Sequence, residues 1–403
     1  MGIYDRFGVK TVINAAGAMT RYGGTMVDDE VLDAMKAAAK YFVHMDELQA
    51  AASKIIAERT HAEAGIVTAG AAAALTLGTA ACLAGLDVAR MNRLPDTSGI
   101  PNEALMPWHQ ISGYEHAIRA AGAKVIGVGI PNDVTPPDQV YITTKYDVES
   151  AITEKTVAIA SAIQEGSHPP LKDLVEIGKK YNIPVILDSS DQLPPVANLH
   201  KFVDMGADLV CFSGGKGIRG PQASGILCGR RDLIASAVLQ MLDTAGEPFD
   251  KWEPPRSLIP KEKLRGKPMH GIGRGMKVTK EAIVGLLVAL ENFTEEKYAQ
   301  KEKQLKKLIA GIAAHLEGIV GVEVKRNGGY FKGGHPGLEI KINEKILRKT
   351  AAEIFEKLKD GEPSILLGDR DVAKGILLLN PINMDEEMAK LVGEHLFKAI
   401  TCK

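Results

Sequence analysis

An α/β fold, with a mainly parallel sheet in a large domain and a small C-terminal α+β domain, is predicted for this chain by three observations. Apolar runs of four to six residues alternate with helical segments through the middle of the sequence, the pattern of a parallel sheet covered on both faces. After Met276 the character changes to a long stretch of helix formers, then to short strand-like runs mixed with helices. Finally, 403 residues with 45% hydrophobic content exceed what one typical core holds.

The expected elements run in order along the chain. Gly65-Ile66-Val67 is strand-like and begins the most apolar stretch, 66–86. At about 20 residues that stretch has membrane-span length, but Gly70 and Gly78 punctuate it and it is expected as a buried helix. Residues 113–121 read as helix, 123–128 as strand, 147–154 as helix and 157–160 as strand. Residues 172–181 read as helix, and strands are expected at 183–188, 207–212 and 224–228. A long helix is expected over 278–318, broken near Phe293. Beyond it, strands at 322–326, 337–342 and 375–379 mix with helices at 346–359 and 385–399. The expected domains are 1–277 and 278–403.

Composition excludes several classes of function. Lys+Arg 49 against Asp+Glu 50 gives a net charge of −1, without the basic footprint that nucleic-acid binding needs. Cys82, Cys211, Cys228 and Cys402 show no CxxC spacing. Neither a metal site nor a disulfide framework is read from them, and a reducing, cytoplasmic setting is expected. The N-terminus opens no long apolar run, so no secretory signal is expected.

The chemistry begins at Asp188, which ends the apolar run Val185-Ile186-Leu187. In parallel α/β sheets ligands bind beyond the carboxyl ends of strands. Lys216 follows another expected strand, in Ser213-Gly214-Gly215-Lys216-Gly217, and so falls at the same edge. An acid and a lysine so placed suit pyridoxal 5′-phosphate (PLP): the acid pairs with the pyridinium nitrogen and the lysine amine makes a Schiff base. The neighbouring glycines permit positive φ and close approach of the backbone to a flat ring. A surface turn that happens to hold a lysine explains the same run, and GGKG lacks P-loop spacing. A third element, Thr68-Ala69-Gly70-Ala71-Ala72, follows a strand and opens a helix. Backbone N–H groups there suit a phosphate, and Ser213 is placed to add a hydroxyl. A tightly packed core helix explains the alanines equally well, though not the small residues at the turn itself.

Three runs narrow the reading: Val12-Ile13-Asn14-Ala15-Ala16-Gly17, the lysine run continued through Ile218-Arg219-Gly220-Pro221-Gln222, and Gly273-Arg274-Gly275-Met276-Lys277-Val278-Thr279-Lys280-Glu281. With them the chain resembles the selenocysteine-synthase-like family of fold-type I (aspartate aminotransferase-like) PLP enzymes, over nearly its whole length. The resemblance implies Lys216 as the PLP lysine, Asp188 as the pyridinium partner and His109 as a candidate to stack on the ring, with Trp108 a lesser one. It favours the family's lyase branch over tRNA-dependent selenium transfer, because the first motif begins at residue 12 and leaves no room for an N-terminal tRNA domain. The expected activity removes water and ammonia from a β-hydroxy amino acid or 2-amino sugar acid. Amino-acid racemisation, or another reaction starting from a Cα carbanion, is the alternative. Relatives often carry alanines after the aspartate where this chain has Ser189-Ser190-Asp191, so the role of Asp191 is open. Arg21, Arg274 and Arg370 are candidates for the substrate carboxylate, with Arg219 also considered. Loops 95–112, 163–170 and 243–275 are expected to set specificity. The family implies a homodimer or a higher even oligomer, a small amino-acid-like substrate, and neither nucleic-acid nor membrane partners.

Overall fold

The computed structural model describes residues 2–131, 142–162, 167–327 and 335–402. The strands are β1 (Ile13–Asn14), β2 (Ala64–Thr68), β3 (Glu103–Pro107), β4 (Lys124–Val128), β5 (Thr156–Ala162), β6 (Val185–Asp188), β7 (Leu209–Ser213), β8 (Gly225–Gly229), β9 (Val322–Asn327), β10 (Gly337–Ile342), β11 (Ile365–Leu366) and β12 (Ile376–Leu379). The helices are α1 (Asp29–Ala38), α2 (Met45–Thr60), α3 (Ala71–Ala84), α4 (Val88–Arg93), α5 (His116–Ala120), α6 (Lys145–Ser150), α7 (Leu171–Tyr181), α8 (Asn198–Asp204), α9 (Arg231–Met241), α10 (Lys280–Asn292), α11 (Glu295–Ala314), α12 (Glu344–Leu347), α13 (Ala351–Lys359) and α14 (Glu386–Thr401).

The chain divides into two compact units. The larger comprises residues 27–193 and 197–291 and holds a seven-stranded sheet in the order β2-β8-β7-β6-β5-β3-β4. All its pairings from β7 to β4 are parallel. β8 runs antiparallel to both β7 and β2, so β2 points the same way as the parallel strands. The apolar stretch 66–86 is not one helix. It finishes β2 at Thr68, turns at Gly70 and becomes α3, almost every residue of which is buried. α3 lies so close to the sheet that a Cβ on Gly78 would meet Leu209 at 3.2 Å and Leu227 at 3.4 Å.

β2 is an edge strand, and α2 closes its outer side with polar side chains. Gln49 donates through Nε2 to the Val67 carbonyl (2.8 Å) and accepts from the Val67 amide (3.0 Å). Ser53, one helical turn later, accepts from the Gly65 amide (3.1 Å). Buried backbone groups left without partners each cost about 1–3 kcal/mol, so these contacts allow a buried edge.

The other unit comprises residues 1–26, 194–196 and 292–403. Its sheet, in the order β12-β10-β9, is antiparallel, and its core takes Leu305, Ile309 and Ile312 from α11 and Val392 and Leu396 from α14. The expected large domain of 1–277 included the N-terminal segment. By contacts, residues 1–26 group instead with the C-terminal unit, because β1 pairs in parallel with β11 and buries Ile13 and Ala15 in that core. The contact division falls at 291/292 rather than 277/278. The long helix expected over 278–318, broken near Phe293, does break there: Thr294 is extended and caps α11 by accepting from the Lys297 amide. The helix expected over 346–359 is likewise broken: Arg348 is left-handed (φ 53°), and a Thr350–Glu353 capping box starts α13. Among the described residues no helix is long and apolar enough to cross a membrane.

Candidate active site

The sequence places its chemistry at strand ends, and the sheet brings those ends together. Thr68 of β2, Gly225 of β8 and Ser213 of β7 lie in one row across the ladder. Asp188 faces Cys211 on β7 and Ala162 on β5. The 69–72 turn, the 214–217 turn and Asp188 therefore leave one edge of the sheet. All belong to the larger unit.

Gly70 is the N-cap of α3, at φ 118° and ψ 167°, a conformation that glycine takes without steric cost. Thr68 donates its hydroxyl to the Gly70 carbonyl (3.0 Å). The first amides of α3, at Ala71 and Ala72, have no intrahelical acceptor and sit at the positive end of a 14-residue helix, which suits a phosphate. The turn lies tightly against β8: a Cβ on Gly225 would come within 2.6 Å of the Gly70 carbonyl carbon and 2.8 Å of the Ala71 nitrogen.

Asp188 Oδ1 accepts from the Ser190 amide (2.9 Å). Its residue surface is partly open to the site, yet the carboxyl is enclosed by protein, and this burial pushes its pKa up. Ser190's hydrogen bonds and the positive charge of Lys216 pull it down, and the charge of Asp191 raises it again. Lys216 and Asp188 are thus electrostatic neighbours.

The glycines around Lys216 do not use the positive φ that they permit. Among the described glycines at positive φ, Gly214, Gly215 and Gly217 are absent. Gly214 instead packs where a Cβ would lie 2.1 Å from Ser224 Oγ and 2.7 Å from Leu286 Cδ1, and Gly215 where it would lie 2.6 Å from Gln222 Oε1. The positive φ in this segment falls on Arg219 (62°), which is ion-paired with Asp28 at 2.9 Å.

His109 lies in a 3-10 turn, Trp108–Gln110, directly after β3. Burial, and next the charge of His168, hold its imidazole below the ordinary histidine pKa. The adjacent Gln110 fastens this turn to the end of β5: its Oε1 accepts from Ser161 Oγ and the Ala162 amide, both at 2.9 Å. Gln110 Nε2 and Ser189 Oγ are buried without hydrogen-bond partners among the described residues. Gln110, Ser161 and Asp188 line a cavity of about 20 Å³. Trp108 packs on β4, where a Cβ on Gly127 would touch its indole at 2.3 Å. Gln110, His168 and Gly225 escaped the sequence reading; a polar residue next to the ring-stacking candidate was the one available hint.

The arginines are spread out. Arg274 pairs with Asp243 (3.0 Å) and lines an 810 Å³ cavity with Lys251, Trp252 and Lys267, a cavity whose lining does not include Lys216. Arg21 pairs with Asp369 (2.5 Å) and Arg370 with Asp371 (3.3 Å), both in the other unit. Of the three expected specificity loops, 163–166 lie outside the described residues.

The residues fit PLP. Asp188 is a buried carboxylate with a raised pKa, which a protonated ring nitrogen would relieve. Unpaired amides at a helix N-terminus and a lysine amine lie on the same sheet edge. Fold and site together define a PLP-dependent enzyme of fold type I. The chain belongs to the DegT/DnrJ/EryC1/StrS aminotransferase family, whose profile matches residues 41–307.

Several relatives cover most of the chain. It is 31% identical to a 5′-C-glycyluridine monooxygenase-decarboxylase of Streptomyces sp, over 94% of this chain and 87% of that protein. It is 29% identical to D-glucosaminate-6-phosphate ammonia lyase of Salmonella typhimurium, over 97% and 96%. A solved structure of D-glucosaminate-6-phosphate ammonia-lyase superposes with a TM-score of 0.78 at 27% identity, covering 99% of this chain and 98% of that one. L-seryl-tRNA(Sec) selenium transferase of Aquifex aeolicus is 26% identical over 56% of this chain and 50% of that protein. These likenesses support a PLP-dependent lyase.

Proposed function

We propose that this protein removes water and ammonia from a 2-amino sugar acid or another β-hydroxy amino acid, of the kind named by D-glucosaminate 6-phosphate: the β-hydroxyl leaves as water, and a water molecule then hydrolyses the resulting enamine to ammonia and a 2-oxo acid. The observation that carries this is the nearly end-to-end likeness to the ammonia lyase at a TM-score of 0.78, in a chain whose Asp188 and Lys216 share one sheet edge. PLP, when bound, supplies an electron sink for the charge left at Cα.

The chain's own residues do the rest. The Lys216 amine would hold the cofactor covalently and, once the substrate's amine displaces it there, would be free to take the Cα proton. Asp188 would stay anionic to pair with the ring nitrogen. The amides of Gly70, Ala71 and Ala72, with Ser213, would hold the phosphate. His109 would cover the ring face, and its lowered pKa suits stacking. His109 and Asp191 both stand as candidates to protonate the leaving hydroxyl. Arg274, Arg21 and Arg370 stand as the candidates for the substrate carboxylate.

A homodimer fits the exposed apolar run Tyr41-Phe42-Val43, in which Phe42 is 95% exposed. A reducing, cytoplasmic setting fits cysteines that are all unpaired, with burial pushing Cys82 and Cys228 up to about 12. Neither nucleic acid nor membrane is required by this reading.

The test is to supply D-glucosaminate 6-phosphate and related amino acids to the PLP-loaded protein. Ammonia and 2-oxo acid are expected in equal amounts, and enantiomer exchange without ammonia would mean racemisation. A second reading is favoured by the 31% identical relative: oxygen-consuming decarboxylation of an amino acid. Oxygen uptake with carbon dioxide release, in place of ammonia, would establish it. Tight tRNA binding with a steep salt dependence would revive selenium transfer.

A further inference from the structure

A second group of ligating side chains lies in the larger unit, outside the cofactor residues. His61 ends α2 as its left-handed C-cap (φ 56°, ψ 16°). His200 and Asp204 stand one turn apart on α8, a helix that packs against α2. His61 Nδ1 is 2.9 Å from Asp204 Oδ1, and His200 Nδ1 is 2.7 Å from Asp204 Oδ2. The two imidazoles stack with centroids 4.3 Å apart. One ligand atom from each of the three residues falls within 4.8 Å of the others.

We propose that His61, His200 and Asp204 bind a divalent transition cation of the zinc type. Imidazole nitrogen and carboxylate oxygen are zinc donors, and bonds of about 2.0–2.2 Å set tetrahedral donor–donor edges of about 3.3 Å. The nitrogen–oxygen separations here are within several tenths of an ångström of that. Two stacked rings aim their Nδ1 atoms at one carboxylate. A single cation replaces the two hydrogen-bonding protons and holds all three groups at once. The side chains are 54%, 39% and 47% exposed, which leaves room for water to complete the coordination.

The expected consequence is mechanical. α2 leads into β2 and the Gly70 turn, while α8 follows the Asp188 segment. A cation here clamps together the two helices that flank the cofactor's supports, without entering the reaction.

The experiment titrates zinc chloride into tag-free, PLP-loaded protein, followed by calorimetry and by thermal unfolding. One saturable zinc per chain is expected, with a rise in the unfolding midpoint. His61→Ala, His200→Ala and Asp204→Asn should each weaken binding by at least about tenfold and remove the midpoint rise. Their circular dichroism and the visible band of the bound cofactor should be unchanged, since the replaced side chains are exposed. Magnesium, which prefers octahedral oxygen ligands, should give no such rise. The proposal is overturned if zinc does not saturate at one per chain, if binding survives in the histidine variants, or if magnesium stabilises equally.

Discussion

The turn at Gly70 and the turn at Lys216 look alike in sequence, each a run of small residues at the end of a strand. They use glycine for opposite reasons. Gly70 takes a left-handed φ with open space around its missing Cβ. Gly214 and Gly215 have ordinary φ, and side chains and backbone fill the space where a Cβ would be. One turn is shaped by a dihedral angle and the other by neighbours. A sequence motif therefore states that glycine is needed without stating why.

The comparison can be tested by substitution. The largest effect is expected at the second turn's functional residue: Lys216→Ala should lower turnover by about 10³-fold and abolish the visible band of the bound cofactor. If the band persists, the second turn is not the cofactor's anchor.

Next is Asp188, which ends β6, the strand beside the one that leads into the second turn. Asp188→Asn should reduce turnover by about 10²-fold. Because burial raises the folded-state pKa of Asp188, its contribution to the cofactor-free protein is favourable below the unfolded carboxyl value of about 3.9. That contribution is lost as pH rises through the raised folded value. The cofactor-free Asp188→Asn protein should accordingly be more stable than wild type at pH 7, with a flatter pH profile in thermal unfolding. Equal stability at pH 7 would mean the carboxylate bears no burial cost.

Gly214→Ala should destabilise by about 2 kcal/mol through overpacking. Adding Ser224→Ala removes the hydroxyl 2.1 Å from the new methyl and should restore part of that loss in urea unfolding, a coupling typical of residues in contact. The smallest effect belongs to the first turn. Gly70→Ala should cost about 1 kcal/mol from the strained φ and weaken PLP binding. No neighbouring truncation should rescue it, because nothing lies within 4 Å. Rescue of Gly70→Ala by trimming a neighbour would erase the distinction between the turns.

The fold and the site differ in how much of each was legible. Strand ends such as Val185-Ile186-Leu187-Asp188 were readable because a buried parallel strand must be apolar and must stop where a polar residue appears. That rule placed Asp188 and Lys216 on one edge. The attachment of residues 1–26 to the C-terminal unit was not readable, since a two-residue strand such as Ile13–Asn14 carries no periodicity. Gln110 was invisible for another reason: its role depends on Ser161 and Ala162, 51 and 52 positions away. The same holds for His61 and Asp204, 143 positions apart, which no local spacing rule connects. Propensity reads along the chain, and these functions are set across it.

The side chains of Gln49 and Ser53 have one more consequence. By imitating a neighbouring strand, they leave β2 no unpaired row on which another chain could add itself. The turn proposed to hold the phosphate grows from the end of this strand. A protein whose edge was open there would risk recruiting partially folded copies of itself during synthesis, at the very place it must keep clear for a small molecule. Gln49→Leu would keep the bulk and lose that protection, trading a monomeric folding route for an aggregation-prone one.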